Sequence, residues 1–188
     1  MAQPDFDILT LSEVKTHLRI GACDTSEDLL IQGLMVTAQE QAESILWRSL
    51  SLRDYDAYMQ AWPDRCFIRL PYPPLNTVTL VEYTDNNGVT RVFDGYTLDT
   101  VSVPGRLVLK HGQSWPCFTP ATANPIHIKF NAGYGKETPA TIKAAMLLLI
   151  GNLYENRGDT GHETNSRAID NLLMPYRVFE ASDAVLKA

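Results

Sequence analysis

The sequence predicts an α+β fold: a helical bundle drawn from the two ends of the chain, with an all-β, sandwich-like antiparallel segment inserted between them. Three observations carry that prediction. Apolar residues recur at helical spacing up to about residue 48, alternate with a period of two between Ser51 and Phe130, and return to helical spacing from Pro139 onward. The regions implied are the N-terminal helices over 1–50, the β-rich insertion over 51–132, and the C-terminal helices and tail over 133–188, which complete the bundle.

Thr10-Leu-Ser-Glu13 is a capping-box pattern that opens a short helix, with Gly21 expected to close it. Thr25 or Ser26, followed by acidic residues at 27 and 28, starts a long helix running to about Arg48. Its main stripe is Ile31, Leu34, Met35, Ala38, Ala42, Ile45 and Leu46, while Leu29, Val36 and Trp47 lie on nearly the opposite side. This helix therefore has two apolar faces.

Seven short segments with β-branched or aromatic residues follow: Leu52–Tyr58, Cys66–Leu70, Val78–Tyr83, Val89–Phe93, Tyr96–Asp99, Arg106–Leu109 and Ile126–Phe130. Asn87-Gly88 supplies the positive φ angles of a tight hairpin, and Pro71-Tyr-Pro-Pro74 reads as an extended connection over the surface. The helix from Pro139 to Arg157 places Ile142, Ala145, Met146, Leu149 and Leu153 on one stripe and Leu147 and Leu148 well off it. Apolar surface beyond one packing face needs a second neighbour, such as another subunit. Gly158–Ser166 reads as a polar, mobile loop; a last helix runs from about Arg167 to Met174, stopped by Pro175.

Composition narrows the function. Sixteen Lys and Arg against 22 Asp and Glu give a net charge of −6, which argues against a surface that grips nucleic acid throughout. Cys23, Cys66 and Cys117 form no C-x-x-C pair and read as buried or incidental thiols of a reducing compartment. The first residues lack a basic and an apolar region of a secretory signal, and the longest apolar run, Ala144–Ile150, is too short to cross a bilayer. The expectation is a soluble chain of the host cytoplasm until assembly, without membrane contact.

Catalytic, cofactor and metal signals stay at background. Gly133-Tyr-Gly-Lys-Glu137 lacks the spacing of a phosphate loop, with Phe130 and Glu137 where Gly and Ser or Thr are required. Asp54 and Asp56 share a strand face, but nothing in the sequence places a histidine or third acid beside them. His17, His111, His127 and His162 show no ligand spacing, Asp85–Gly88 is too short for a calcium loop, and Arg157-Gly-Asp159 is a chance match. Trp62, Trp115 and the tyrosines would be the platform of a ligand- or carbohydrate-binding β module, the alternative from a different class.

A succession of segments carries a resemblance: Leu11–Arg19, Trp47-Arg48, Ile68–Leu75, Val81–Asp85, Gly112–Pro116, Phe130–Gly135, Pro139 with Ile142–Ala145, Tyr154–Arg157 and Leu172–Arg177. In this order they resemble the head-to-tail connector (adaptor, or head completion) proteins of tailed double-stranded-DNA bacteriophages, in the longer subfamily with a β insertion. The acidic residue usual soon after Tyr-Glu-Asn-Arg is displaced by Gly158. The resemblance implies a non-enzymatic virion protein of the neck, between capsid and tail. It would form a ring, with 12 copies in the particle, dock on the portal protein after DNA packaging, and offer the platform for a stopper or tail-completion protein. DNA would pass without sequence-specific binding. A stopper or tail-terminator ring protein is the alternative within the same assembly class.

A closed ring needs two different lateral surfaces on each subunit. The off-stripe residues Leu29, Val36, Leu147, Leu148 and Tyr154 are the expected subunit interface, so that Leu147→Asp should spare the fold and block assembly. Tyr176, Arg177 and Phe179 are the portal-binding residues that the resemblance implies.

Overall fold

The computed structural model describes residues 8–156, 167–179, 183 and 185–186. Their order is α1 (Leu11–Leu18), α2 (Asp28–Leu46), β1 (Arg53–Met59), β2 (Phe67–Arg69), β3 (Leu75–Thr84), β4 (Thr90–Val92), β5 (Tyr96–Asp99), β6 (Arg106–Leu109), β7 (Ile126–Ala132), α3 (Ala140–Glu155), α4 (Arg167–Leu173) and β8 (Val185–Leu186). Short 3-10 turns occupy Gly135–Glu137 and Met174–Tyr176. The expected loop 158–166, with His162, and the Arg157–Asp159 match lie outside the described residues.

The fold is α+β with four helices and two antiparallel sheets among the described residues, but the helices are internal and do not come from both chain ends. The expectation of a bundle built from the two ends is overturned by the tail. After Pro175 interrupts the last helical turn, the chain becomes extended and returns to the sheets, where β8 pairs antiparallel with β1. The chain divides into a helical unit within Met1–Leu46 and Gly135–Arg177 and a β unit within Trp47–Tyr134 and Val178–Ala188.

In the helical unit, Thr10 caps α1: its Oγ accepts the Glu13 N–H at 3.2 Å, and the Glu13 carboxylate accepts the Thr10 N–H at 2.7 Å. Arg19, at φ 60°, ends the helix in the left-handed conformation, and its N–H donates to Lys15 and Thr16 carbonyls. The stop thus comes two residues before the expected Gly21, because the last carbonyls need a donor wherever the chain can turn back. Bonds from Thr10 hold the Glu13 carboxyl below its ordinary range. A depressed carboxylate stabilises fully above its unfolded pKa and loses that contribution as pH falls through the folded value. Thr10→Ala is therefore expected to cost about 1 kcal/mol at neutral pH, with the gap from the parent narrowing in melts at about pH 3.

The buried side of α2 is Ile31, Met35, Ala38, Ala42 and Leu46, and that of α3 is Ile142, Ala145, Met146, Leu149 and Ile150. Most of both predicted stripes is buried; Leu34, Ile45 and Leu153 are half-buried instead. Lys15, only 5% exposed, joins α1 to the entry of α2 through Asp28 Oδ1 at 2.5 Å and the Asp24 carbonyl at 2.8 Å.

In the β unit, one sheet has the order β4-β3-β7-β1-β8 and the other β2-β6-β5. Alternation along β7 buries Ile126, Ile128, Phe130 and Ala132 and turns His127, Lys129 and Asn131 outward. The inward residues join Ala57, Ile68, Leu70, Val81 and Leu107 in one core. The Pro71–Pro74 connection is less superficial than expected: Pro73 is buried, and Tyr72 stacks on Tyr55 with centroids 5.5 Å apart.

Candidate functional site

The candidates are surfaces of the described residues, taken unit by unit. On the helical unit Leu29 is 85% exposed, one turn-start residue of α2 with no core role, and Leu30 beside it is also exposed. Val36, Leu147 and Leu148 are half-buried. The Tyr154 hydroxyl donates to the Glu27 carboxylate, which ties the end of α3 to the entry of α2. Tyr154 thus stands close in the fold to the turn that presents Leu29, a proximity across 127 residues of sequence. Tyr176 is half-buried and Arg177 exposed in the same unit, and Phe179, in the extended tail, is 77% exposed.

Sequence reasoning missed several exposed apolar side chains: Met174, Val92 and Val101. Val101 crowns the loop between β5 and β6. Asp99 fixes that loop, accepting the Val101 and Ser102 N–H groups at 3.1 and 3.0 Å, the Ser102 hydroxyl at 2.6 Å, and Arg106 Nη2 at 2.7 Å. Those donors, the Ser102 hydroxyl foremost, hold the Asp99 carboxyl well below the usual carboxylate range. The signal in sequence was Asp followed by Ser three residues on, a side-chain turn pattern.

The carboxylates considered for catalysis are committed elsewhere. Asp54 accepts the Asn131 side-chain amide at 2.9 Å. Asp56 meets His127 Nε2 at 2.7 Å, Glu82 meets Nδ1 at 2.9 Å, and Tyr58 stacks on the ring at 4.7 Å. The histidine that sequence reasoning did not find near Asp56 therefore lies beside it, brought there by the β1–β7 and β3–β7 registers. The two carboxylates address opposite nitrogens of one ring, so they converge on the imidazole and not on a common point where a cation could sit. Among the described residues no group of three or more His, Cys, Asp and Glu could hold a metal ion.

The amides around Gly133 are occupied as well: Gly133 N–H donates to the Pro74 carbonyl at 2.9 Å and Tyr134 N–H to that of Leu50 at 3.2 Å. They hold strands together and offer no cradle for phosphate. Trp62 and Trp115 stack at 4.9 Å and 6° against the β core, and Trp115 Nε1 donates to the Arg65 carbonyl at 2.8 Å. Stacked on each other, they do not form an open sugar platform. All three cysteines are free and exposed, so of the two expected readings, buried or incidental thiols, burial does not hold.

No protein-family model and no curated protein matches the chain. Solved structures do. A chain in "Neck of empty GTA particle computed with C6 symmetry" superposes with a TM-score of 0.80 at 24% identity, covering 96% of this chain and 94% of that one. A chain in "Virion of native gene transfer agent (GTA) particle" gives 0.76 at 25% identity, covering 92% and 91%. One in "Neck of native GTA particle computed with C12 symmetry" gives 0.74 at 24%, covering 96% and 94%. The likeness takes in helices, both sheets and nearly the full length of each partner, so this chain has the fold of chains found in gene transfer agent particles.

Proposed function

We propose that this chain is a structural neck protein of a tailed, phage-like particle, and within the neck the head-to-tail connector (adaptor) subunit. Twelve copies form a ring that docks on the portal after DNA packaging, extends the DNA channel and presents a platform to the next ring toward the tail. The carrying observation is the end-to-end structural likeness to a neck chain, and the twelvefold symmetry named for a second neighbour supports the copy number. The apolar surface fits this use. Leu29 with the half-buried Val36, Leu147, Leu148 and Tyr154 forms one lateral face, and a heterologous ring closes when such a face meets a different one on the next copy. Tyr176, Arg177 and Phe179 reach the portal. The net charge of −6 suits a conduit that must let DNA slide.

The test is to mix the purified protein with portal rings and, separately, with the ring on the tail side, and to read co-sedimentation. Binding to the portal is expected, and Phe179→Ala should weaken it by about tenfold as loss of an exposed aromatic anchor. Binding to the tail-side ring alone would make the chain a stopper or terminator instead.

A further inference from the structure

The two sheets of the β unit enclose one core, so their outer faces look away from each other on opposite sides of that unit. Strand register shows what stands on each. On the five-stranded sheet His127 is outward, with Glu82 opposite it on β3 and Tyr58 opposite it on β1, and Val92 of β4 lies opposite Glu82. The other outward positions of β1 are Asp54 and Asp56, opposite Asn131 and Lys129 of β7. Arg53, opposite the buried Ala132, belongs to the inner parity of the strand. Among the described residues of these strands, the outer face thus carries three carboxylates, Asp54, Asp56 and Glu82, against Lys129. Solvent meets the carboxylates first: the Asp56 side chain is 42% exposed, the His127 ring that it bonds 20%.

The three-stranded sheet shows the opposite sign. Ile68, Leu98 and Leu107 pack into the core, which turns Phe67, Arg69 and Arg106 outward. Arg65, Arg69 and Arg106 gather around the Phe67 ring, their guanidinium carbons 5.2, 5.6 and 5.2 Å from its centroid. Asp183 meets Arg65 and Asp99 meets Arg106, each at 2.7 Å, so three guanidinium groups stand against two carboxylates. Here the cation is in front: the Arg65 side chain is 43% exposed and that of Asp183 13%. An aromatic ring framed by arginines on one face, and a tyrosine stacked on the His127 ring on the other, are residue types that anchor protein interfaces.

Resting on the ring reading above, we infer that these two faces meet in the ring: the carboxylate face of the five-stranded sheet in one copy docks on the arginine face of the three-stranded sheet in the next. The occupant is a second copy because every chain carries both halves, opposite in sign and on opposite sides of one unit. Two different patches so placed make the heterologous contact that propagates from copy to copy and closes a ring. Faces of equal sign repel, so the same charges fix the direction in which copies follow one another. Every pair already formed within the subunit is kept, since the contact uses the net charge of each face and the exposed sides of its pairs.

Reversing one face at a time tests this. D54K/T77K, at two exposed outward positions, makes the first face positive and leaves the His127 contacts intact. R65Q/T97E makes the second face negative; Thr97 is exposed beside Val108, and glutamine keeps a hydrogen-bond donor toward Asp183. Each variant then presents two faces of one sign and should lose its ring fraction by about tenfold at low salt. An equimolar mixture brings unlike faces together at every junction and should regain rings holding both variants in equal number by native mass spectrometry. The combined variant D54K/T77K/R65Q/T97E should assemble alone. Tryptophan fluorescence in urea checks that each variant is folded, and the parent supplies a readout without substitution: its ring fraction should fall severalfold as salt rises to about 0.5 M. Parent rings indifferent to salt, variants that assemble as well as the parent, or folded variants that neither the mixture nor the combination restores would overturn the inference. So would a variant that keeps its rings and loses co-sedimentation with the portal, which would give that face to the portal. If the parent stays monomeric with portal rings present, the ring reading fails; heteromers of the two variants would still uphold the pairing of faces, and their absence would overturn both.

Discussion

Leu29→Asp is expected to yield a folded subunit that no longer forms rings. The side chain lies in the first turn of α2 and is 85% exposed, so the subunit loses no core contact when it changes. An acidic residue in a first turn also complements the positive end of the helix, which keeps the effect on stability within about 0.5 kcal/mol. At a subunit junction the same carboxylate would need desolvation against apolar surface, at a cost of about 2 kcal/mol or more for each contact in the ring. Leu147, the off-stripe residue singled out from sequence, is half-buried, so charge there would disturb packing as well as assembly. An unchanged melting curve with loss of the large species is the expected result. A Leu29→Asp protein that still forms rings would remove the start of α2 from the lateral surface.

Gly133→Ala should unfold the β unit or lower its stability by about 3 kcal/mol or more. A Cβ at this position would stand 2.1 Å from the Ser51 carbonyl oxygen and 2.6 Å from its carbon, both backbone atoms. At φ 128° the residue also occupies a conformation that side chains avoid. The strand cannot move aside, because Gly133 N–H is bonded to Pro74 and its carbonyl to the Asn76 side chain at 3.0 Å. All three tryptophans, Trp47, Trp62 and Trp115, belong to the β unit, so their fluorescence during urea unfolding reads this effect. Gly21→Ala is the matched control: nothing lies within 4 Å of its Cβ position, and the change should be neutral or stabilise by about 0.5 kcal/mol. Equal midpoints for the two variants would contradict the close approach at Ser51.

Much of the architecture was legible wherever a period was long enough to read. The stripes of α2 and α3 and the alternation of β1 and β7 follow from spacings of 3.6 and 2, because burial on one face selects them, whereas β4 is exposed at all three of its positions. What depends on pairing between distant segments was not legible. His127 meets Glu82 and Asp56 only through strand register, which no local pattern encodes. A two-residue strand such as β8 is too short to show alternation, so no local pattern marks the tail as the edge strand beside β1 instead of a part of the bundle. Arg19 turns into the left-handed region ahead of Gly21, a choice made by the bonds available at the helix end and not by residue type. Among the exposed apolar side chains, Leu29 was readable as an apolar residue opposite the core stripe. Val101 was not, since its prominence comes from the hydrogen bonds of Asp99 and not from any amphipathic pattern.

The most direct test of the ring is the mass of the purified protein in solution, measured by light scattering at high concentration with negative-stain images of the same sample. A species of about twelve times the 21.0 kDa subunit, seen as closed rings, is the predicted result. A particle of 21.0 kDa that stays monomeric at every concentration and also after addition of portal rings would contradict it.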